Sequence, residues 1–376
     1  MPAIERSKAK RTYLPHLIAW EVTRSCNLNC KHCRAAARFG PYPGELSTEE
    51  CRRFLDDVAS FSSPIMILTG GEPMLRDDIF DIAAYGTSLG LRMVMSPCGL
   101  LMTEENTRCM LEVGIKRISL SVDGADAATH DGFRGMPGAF DGVMHAVELA
   151  RRVGMEFQIN TTISRHNLHQ LPEILDLSLK LGAVTWYPFL LVPTGRGAGL
   201  VEWELSPEEY EKTIGWIYEQ QERLAIGIKP TCAAHYQRVF RQKAWESGQK
   251  ATCFAHGSAS SGGMHAMTKG CMGGSSFAFV SHVGKVQICG FLEVECGDIR
   301  KEPFSRIWET SPVFLEMRNE DGYGGRCGVC EFRKVCGGCR ARAFAMTGDY
   351  LAEEPYCTYE PKLAKASTGS RLQAGE

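Results

Sequence analysis

From residue 15 to about 190 the chain alternates short β-branched runs with amphipathic helical patterns, and no other feature restricts its fold so tightly. The strand candidates are 16–23, 65–69, 91–96, 117–122, 156–162 and 183–191. Between them lie helical segments, one opening on the capping box Ser47-Thr-Glu-Glu50 and others near 78–89, 103–113, 139–153 and 171–181. Six successive β–α units predict an α/β fold, a partial (β/α)6 barrel with parallel strands and right-handed crossovers. Functional groups of parallel barrels sit at the carboxyl ends of the strands. Five motifs fall there in turn: Cys26-Asn-Leu-Asn-Cys30-Lys-His-Cys33, Gly70-Gly71-Glu72-Pro73, Ser96-Pro-Cys98, Ser121-Val-Asp123-Gly and Asn160-Thr-Thr162.

The first of these carries the most chemistry. Its CX3CX2C spacing offers an iron–sulfur cluster three thiolates and withholds the fourth. A [4Fe-4S] cluster that only carries electrons is closed by four cysteines. One left with an open iron can bind a substrate or cofactor, as an open metal site does in catalysis. Taken alone, the triplet also suits a zinc knuckle or a redox thiol set. Neither of those predicts motifs converging at successive strand ends.

Sixteen cysteines in a chain without an N-terminal apolar segment exclude a secreted disulfide framework and point to metal binding. Cys51 and Cys109, on helical patterns, read instead as small buried apolar residues. A net charge of −2 gives no basis for binding nucleic acid through phosphates. No apolar stretch is long enough to cross a bilayer, so no membrane partner and a cytoplasmic location are expected. The expected organisation is a tail at 1–14, a core barrel at 15–225, connecting helices and a loop at 226–270, a cysteine-rich module at 271–361 and a tail at 362–376. Helices are expected at 206–224 and 234–246, and the Gly/Ser-rich run 255–269 reads as a linker. The module, with few long apolar periodic runs, is expected to depend on metal for its fold.

The cysteine triplet followed some 40 residues later by Gly70-Gly71-Glu72-Pro73 resembles the radical S-adenosylmethionine (SAM) superfamily. The resemblance implies a [4Fe-4S] cluster on Cys26, Cys30 and Cys33 whose open iron chelates SAM. Reduction then cleaves SAM to methionine and a 5′-deoxyadenosyl radical. It implies further that Gly70, Gly71 and Glu72 receive the SAM amino group, and that Ser121 and Asp123 contact the ribose or methionine. Arg134 would meet the SAM carboxylate, Asn160 the adenosine, and His32 would take an aromatic position near adenine. Cys98 departs from the Asn or Ser common in relatives. Downstream, Cys271-X12-Gly284-X4-Cys289, Cys327-X2-Cys330-X5-Cys336-X2-Cys339 and Cys357 resemble the SPASM domain, which carries auxiliary [4Fe-4S] clusters. By that resemblance Cys327, Cys330, Cys336 and Cys357 close one cluster, while Cys271, Cys289 and Cys339 hold another. The second set lacks a fourth ligand. Cys253 or Cys296 could supply it, or an iron could stay open. For the CX2C pairs alone, a rubredoxin or zinc-ribbon site is the competing reading.

Several longer runs, among them Trp20-Glu-Val-Thr-Arg-Ser-Cys26, Lys229-Pro-Thr-Cys-Ala-Ala-His235 and Cys336-Gly-Gly-Cys-Arg-Ala-Arg342, resemble the haem b synthases of the siroheme-dependent haem pathway. This implies a tetrapyrrole substrate, Fe-coproporphyrin III, with two propionates decarboxylated oxidatively to vinyl groups. An electron donor such as ferredoxin or flavodoxin is implied as well. Guanidinium forks grip carboxylates bidentately, so Arg196, Arg340 and Arg342 are candidate substrate ligands, and His235 a candidate for the porphyrin or its iron. The alternatives are sister enzymes of the didecarboxysiroheme or haem d1 branches, a SPASM peptide maturase and, least favoured, a non-enzymatic electron carrier.

Overall fold

The computed structural model describes residues 13–246, 248 and 269–362. Cys253, nearly all of the expected 255–269 linker, and most of both expected tails lie outside the described residues. The six expected strands form as β1 (Leu17–Thr23), β2 (Ile65–Gly70), β3 (Arg92–Met95), β4 (Ile118–Ser121), β5 (Phe157–Ile163) and β6 (Thr185–Leu190), each parallel to the next. Helices α1 (Thr48–Phe61), α2 (Ile79–Ser88), α3 (Glu104–Glu112), α4 (Ala127–Arg134), α5 (Ala139–Val153), α6 (Leu171–Leu181) and α7 (Pro207–Arg223) connect them. The fold is an α/β barrel of the expected kind. The Ser47 capping box forms as its sequence requires, with Ser47 accepting from the Glu50 N–H and Glu50 from the Ser47 N–H.

Helix α4 was not expected, because its eight residues show little apolar periodicity. It is defined by its ends. The Asp126 side chain accepts from the Thr129 N–H at the N-cap, and Gly135 takes the left-handed conformation (φ 65°) at the C-cap. Asp126-Ala-Ala-Thr129 with Gly135 was the signal available in the sequence.

Past the barrel, β7 (Gly227–Ile228) adds to β6 and leads into α8 (Tyr236–Glu246). The cysteine-rich module then joins the same sheet rather than hanging from it. Its strand β8 (Phe277–Val280) lies parallel to β1 from Leu17↔Phe277 to Trp20↔Val280. The antiparallel β9 (Lys285–Cys289) and β10 (Leu292–Asp298) extend that edge, giving the order β10-β9-β8-β1-β2-β3-β4-β5-β6-β7. Four short helices follow: α9 (Phe304–Thr310), α10 (Pro312–Arg318), α11 (Gly325–Val329) and α12 (Arg340–Thr347).

The core runs through both parts. On β1 the alternation places Ile18, Trp20 and Val22 beneath the helices. Trp20 meets Phe54 edge-on at 5.1 Å, and Phe54 meets Phe304 of the module at 5.6 Å. Phe304, Ile307, Trp308, Phe314 and Met317 are all buried in this shared core. At about 1.5–3 kcal/mol for each large buried side chain, this packing ties the first part of the module to the barrel. No described helix is long and apolar enough to cross a membrane.

Candidate active site

The cysteine triplet occupies the loop leaving β1, and neighbouring segments pin that loop on several sides. The Cys26 N–H donates to the Arg38 carbonyl (2.9 Å), the Lys31 N–H to Phe133 (3.0 Å) and the Arg196 N–H to Cys33 (3.0 Å). The second strand end crosses closely behind it. Gly71 donates to the Thr23 carbonyl (2.9 Å) and Glu72 to Ser25 (2.7 Å). A Cβ added at Gly71 would lie 2.2 Å from the Ser25 oxygen, and one at Gly70 the same distance from that of Thr23. Only glycine allows this approach.

Glu72 is fully buried. Its carboxylate accepts from the Cys98 N–H at 2.5 Å and the Met74 N–H at 2.9 Å, while burial pushes its carboxyl pKa upward. The Cys98 thiol lies beside the Glu72 carboxylate and Asn27 Oδ1 (3.5 Å), so Cys98 joins the site's rim through both thiol and backbone. Ser121 and Asn160 sit side by side in register on β4 and β5.

Asp123 and Arg134 form the electrostatic centre. Arg134 Nη2 lies 2.5 Å from Asp123, and Nη1 lies 3.7 Å from Cys30 Sγ. Burial pulls the guanidinium pKa down, but Asp123 and Cys30 outweigh it, so the cation persists. Asp123 also accepts from the Thr162 N–H (2.7 Å), and Asn167 bridges the Asp123 and Thr162 carbonyls. His32 stacks on Phe133 at 4.0 Å and 14° between planes. Burial, with Arg134 nearby, holds its pKa well below the usual value and keeps it neutral.

These residues fit a cluster with an open iron. Burial pushes the Cys26 thiol up to about 12, the Leu28 N–H on its sulfur (3.4 Å) pulls it back, and Cys30 and Cys33 are near enough to raise it further. Metal must displace those protons, which makes loading pH-dependent. Among the described residues no three His, Cys, Asp or Glu side chains close on one point as a single ion requires. Thiolates bound one per iron stand wider apart.

The module gathers its cysteines in two groups. Cys327, Cys330, Cys336 and Cys357 line one cavity. Backbone N–H groups of Glu354, Phe332 and Gly338 point at the sulfurs of Cys327, Cys330 and Cys336, each at 3.4 Å. Cys271, Cys289 and Cys339 form the second group: Cys339 lies near enough to raise the proton affinity of both others, and Cys271 that of Cys289. Cys296 is not with them. Its thiol faces the Val294 carbonyl (3.8 Å) and Ser311, so Cys296 is withdrawn as a ligand.

The four expected substrate ligands all have partners within the protein. Arg196 Nε and Nη1 donate to the carbonyls of Cys30 (2.8 Å) and Ala37 (2.6 Å), clamping the cysteine loop. Arg342 is fully buried against Glu354 and the carbonyls of Leu191 and Cys232. Arg340, also fully buried, holds the Ala352 carbonyl (2.6 Å) and approaches Cys327 Sγ (3.6 Å). His235 is buried on the cavity of Cys327, Cys330, Cys336 and Cys357, 3.9 Å from Glu354. All four hold segments that carry cysteines of the candidate cluster sites.

The sequence reading also missed Arg34. From beside Cys33 it reaches Glu21 (3.1 Å), the Gly290 carbonyl (3.5 Å) and the face of Phe279 (4.4 Å), tying the first cysteine loop to the strand that ends in Cys289. A glutamate within the apolar β1 run was its only sequence signal.

A parallel barrel with this cysteine loop, its glycine-backed neighbour and a second set of cysteines defines a class. Residues 20–178 match the profile of the Radical SAM superfamily, and residues 271–339 that of SPASM, an iron-sulfur cluster-binding domain. The crystal structure of Streptococcus suis SuiB bound to S-adenosylmethionine shares the fold, with a TM-score of 0.71 and 13% identity over 92% of this chain and 78% of that one. The protein is therefore a radical SAM enzyme that uses a [4Fe-4S] cluster and SAM, with auxiliary iron–sulfur binding in its SPASM domain.

Two relatives narrow this further. An AdoMet-dependent heme synthase from Nitratidesulfovibrio vulgaris is 51% identical over 92% of this chain and 93% of its own length. One from Methanosarcina barkeri is 50% identical over 93% and 98%. The chain belongs to the AdoMet-dependent heme synthase family.

Proposed function

We propose that this protein converts two propionates of Fe-coproporphyrin III to vinyl groups, yielding haem b. The reading is carried by likeness to heme synthases across 92% of the chain, through the first cysteine loop and the auxiliary cysteines alike. In each half-reaction a hydrogen atom leaves the propionate β-carbon, and the resulting carbon radical loses CO2 and one electron as the vinyl double bond forms. When bound at Cys26, Cys30 and Cys33, a reduced cluster would supply the electron that converts SAM to a carbon radical, and a cluster on the module's cysteines would take up the released electron.

The chain's own residues position these partners. Cys26, Cys30 and Cys33 hold the SAM-binding cluster, with Arg134 offsetting its negative charge beside Cys30. Gly70, Gly71 and Glu72 line the methionine end, Ser121 and Asn160 the nucleoside, and neutral His32 offers a flat apolar face for adenine. Cys327, Cys330, Cys336 and Cys357 hold one auxiliary cluster, and Cys271, Cys289 and Cys339 belong to the other. A small electron-transfer protein such as ferredoxin or flavodoxin supplies the reducing electron.

The test is anaerobic incubation of the reconstituted protein with SAM, a reductant and Fe-coproporphyrin III, followed by mass analysis. Loss of one CO2 and two hydrogens from each of two side chains is expected. An unchanged porphyrin, with a didecarboxysiroheme-type substrate consumed in its place, would move the protein to a sister step.

A further inference from the structure

Cys232 stands outside the seven cysteines of the SPASM-like pattern, four residues beyond a two-residue edge strand, and the sequence alone attaches no role to it. The structure places it with care. Backbone bonds hold the chain along β6 as far as Thr231, whose N–H donates to the Pro188 carbonyl (2.8 Å) and whose carbonyl accepts from the Leu190 N–H (3.1 Å). At the next residue the backbone turns into the left-handed region, with φ 54°, a conformation that strains a non-glycine residue. The Cys232 carbonyl accepts from Arg342 Nη2 (3.0 Å), and that guanidinium is itself fully buried against Glu354. A strained residue fixed by a buried cation is being held for its side chain.

That side chain points into the incomplete cysteine group. The Cys232 thiol lies within hydrogen-bonding reach of the Cys339 thiol, with Cys289 as its next sulfur neighbour. Cys289 in turn neighbours both Cys271 and Cys339. Their segments touch directly: the Cys271 N–H donates to the Cys336 carbonyl (3.1 Å), and a Cβ added at Gly270 would lie 2.6 Å from the Ala234 oxygen and 2.7 Å from that of Cys336. The four cysteines come from separate segments: the exit of β7, the approach to β8, the end of β9 and the start of α12. Such convergence of thiols from distant segments is a four-ligand cluster site, not an accident of one loop.

We propose that Cys232 is the fourth thiolate of the auxiliary [4Fe-4S] cluster held by Cys271, Cys289 and Cys339. With four protein thiolates that cluster is closed, and it serves electron transfer rather than ligation of substrate. The inference rests on reading Cys271, Cys289 and Cys339 as ligands of one cluster, and the experiment separates the two.

Both auxiliary and SAM-binding clusters are reconstituted in full-length wild type, Cys232→Gly, Cys232→Ser and Cys271→Ala. Glycine accepts the left-handed turn without strain, so Cys232→Gly removes the thiol while keeping the backbone. Iron and sulfide are counted, and the reduced clusters are examined by electron paramagnetic resonance with and without an added small thiol. In Cys232→Gly either about four irons per chain are lost, or a cluster remains whose altered signal moves toward wild type when the thiol is added. Cys232→Ser gives a third line shape, since oxygen replaces sulfur. With SAM present throughout to occupy the open iron of the first cluster, wild type does not respond to the thiol. Full iron content with a wild-type signal in both Cys232 variants, while Cys271→Ala loses its cluster, would overturn the role of Cys232 alone. Full iron content and an unchanged signal in Cys271→Ala would overturn the underlying cluster reading and this inference with it.

Discussion

Arg134 Nη2 lies 2.5 Å from the Asp123 carboxylate, and the pair joins the last residue of α4 to the end of β4 directly behind Cys30. Both side chains are almost wholly out of solvent. Removing one partner of such a pair leaves the other charge buried and uncompensated, at about 3–5 kcal/mol. Arg134→Gln and Asp123→Asn should each destabilise the protein by that order in urea unfolding, and the double variant by less than their sum. Single variants within about 1 kcal/mol of wild type would contradict the arrangement.

Gly71→Ala should displace the cysteine loop, because its Cβ would sit 2.2 Å from the Ser25 oxygen and 2.5 Å from that of Arg24. Iron content should fall by about four atoms per chain, and SAM cleavage should vanish. Gly199, with nothing within 4 Å of an added Cβ, is the control, and Gly199→Ala should leave stability within about 0.5 kcal/mol.

Cys98→Ser should leave SAM binding unchanged. Serine retains the backbone N–H that donates to Glu72, and its hydroxyl can replace the thiol beside Glu72 and Asn27. Titration of SAM against both proteins checks this, and a tenfold loss in the variant would show that the thiol itself takes part.

Glu21 makes stability depend on pH. Burial raises its carboxyl pKa, but Arg34, His282 and Arg24 outweigh burial and hold it at about 2 against an ordinary 4.5. A carboxylate stabilised in the folded state contributes fully above about pH 4.5, on the order of 3 kcal/mol here, and loses that contribution as pH falls toward 2. Wild type should therefore exceed Glu21→Gln in urea resistance at pH 7, with the gap narrowing below pH 4.5. A gap that is constant with pH would remove the charge from the account.

The six parallel strands and the motifs at their ends were legible because period-two runs and turn residues are local signals. What eluded the sequence was non-local. Arg196 looked like a free fork in a Gly-flanked loop, but its partners are carbonyls of Cys30 and Ala37, more than 150 positions away. Arg340 and Arg342, adjacent to a cysteine pair, turned inward for the same reason. Helix α4 is set by its caps and not by apolar periodicity, and the module's core is completed by Phe54 and Trp20 of the barrel. Cys232 belongs to no spacing pattern, so only the fold could bring it to Cys339.

The central claim is that radical chemistry started at the Cys26, Cys30 and Cys33 loop acts on a porphyrin propionate. The most direct measurement uses Fe-coproporphyrin III deuterated at the propionate β-carbons, with 5′-deoxyadenosine and haem b quantified together by mass. Deuterium is expected in the 5′-deoxyadenosine, one such molecule for each vinyl group formed, and neither product from Cys30→Ala. Unlabelled 5′-deoxyadenosine alongside haem b, or haem b formed equally well by Cys30→Ala, would contradict it.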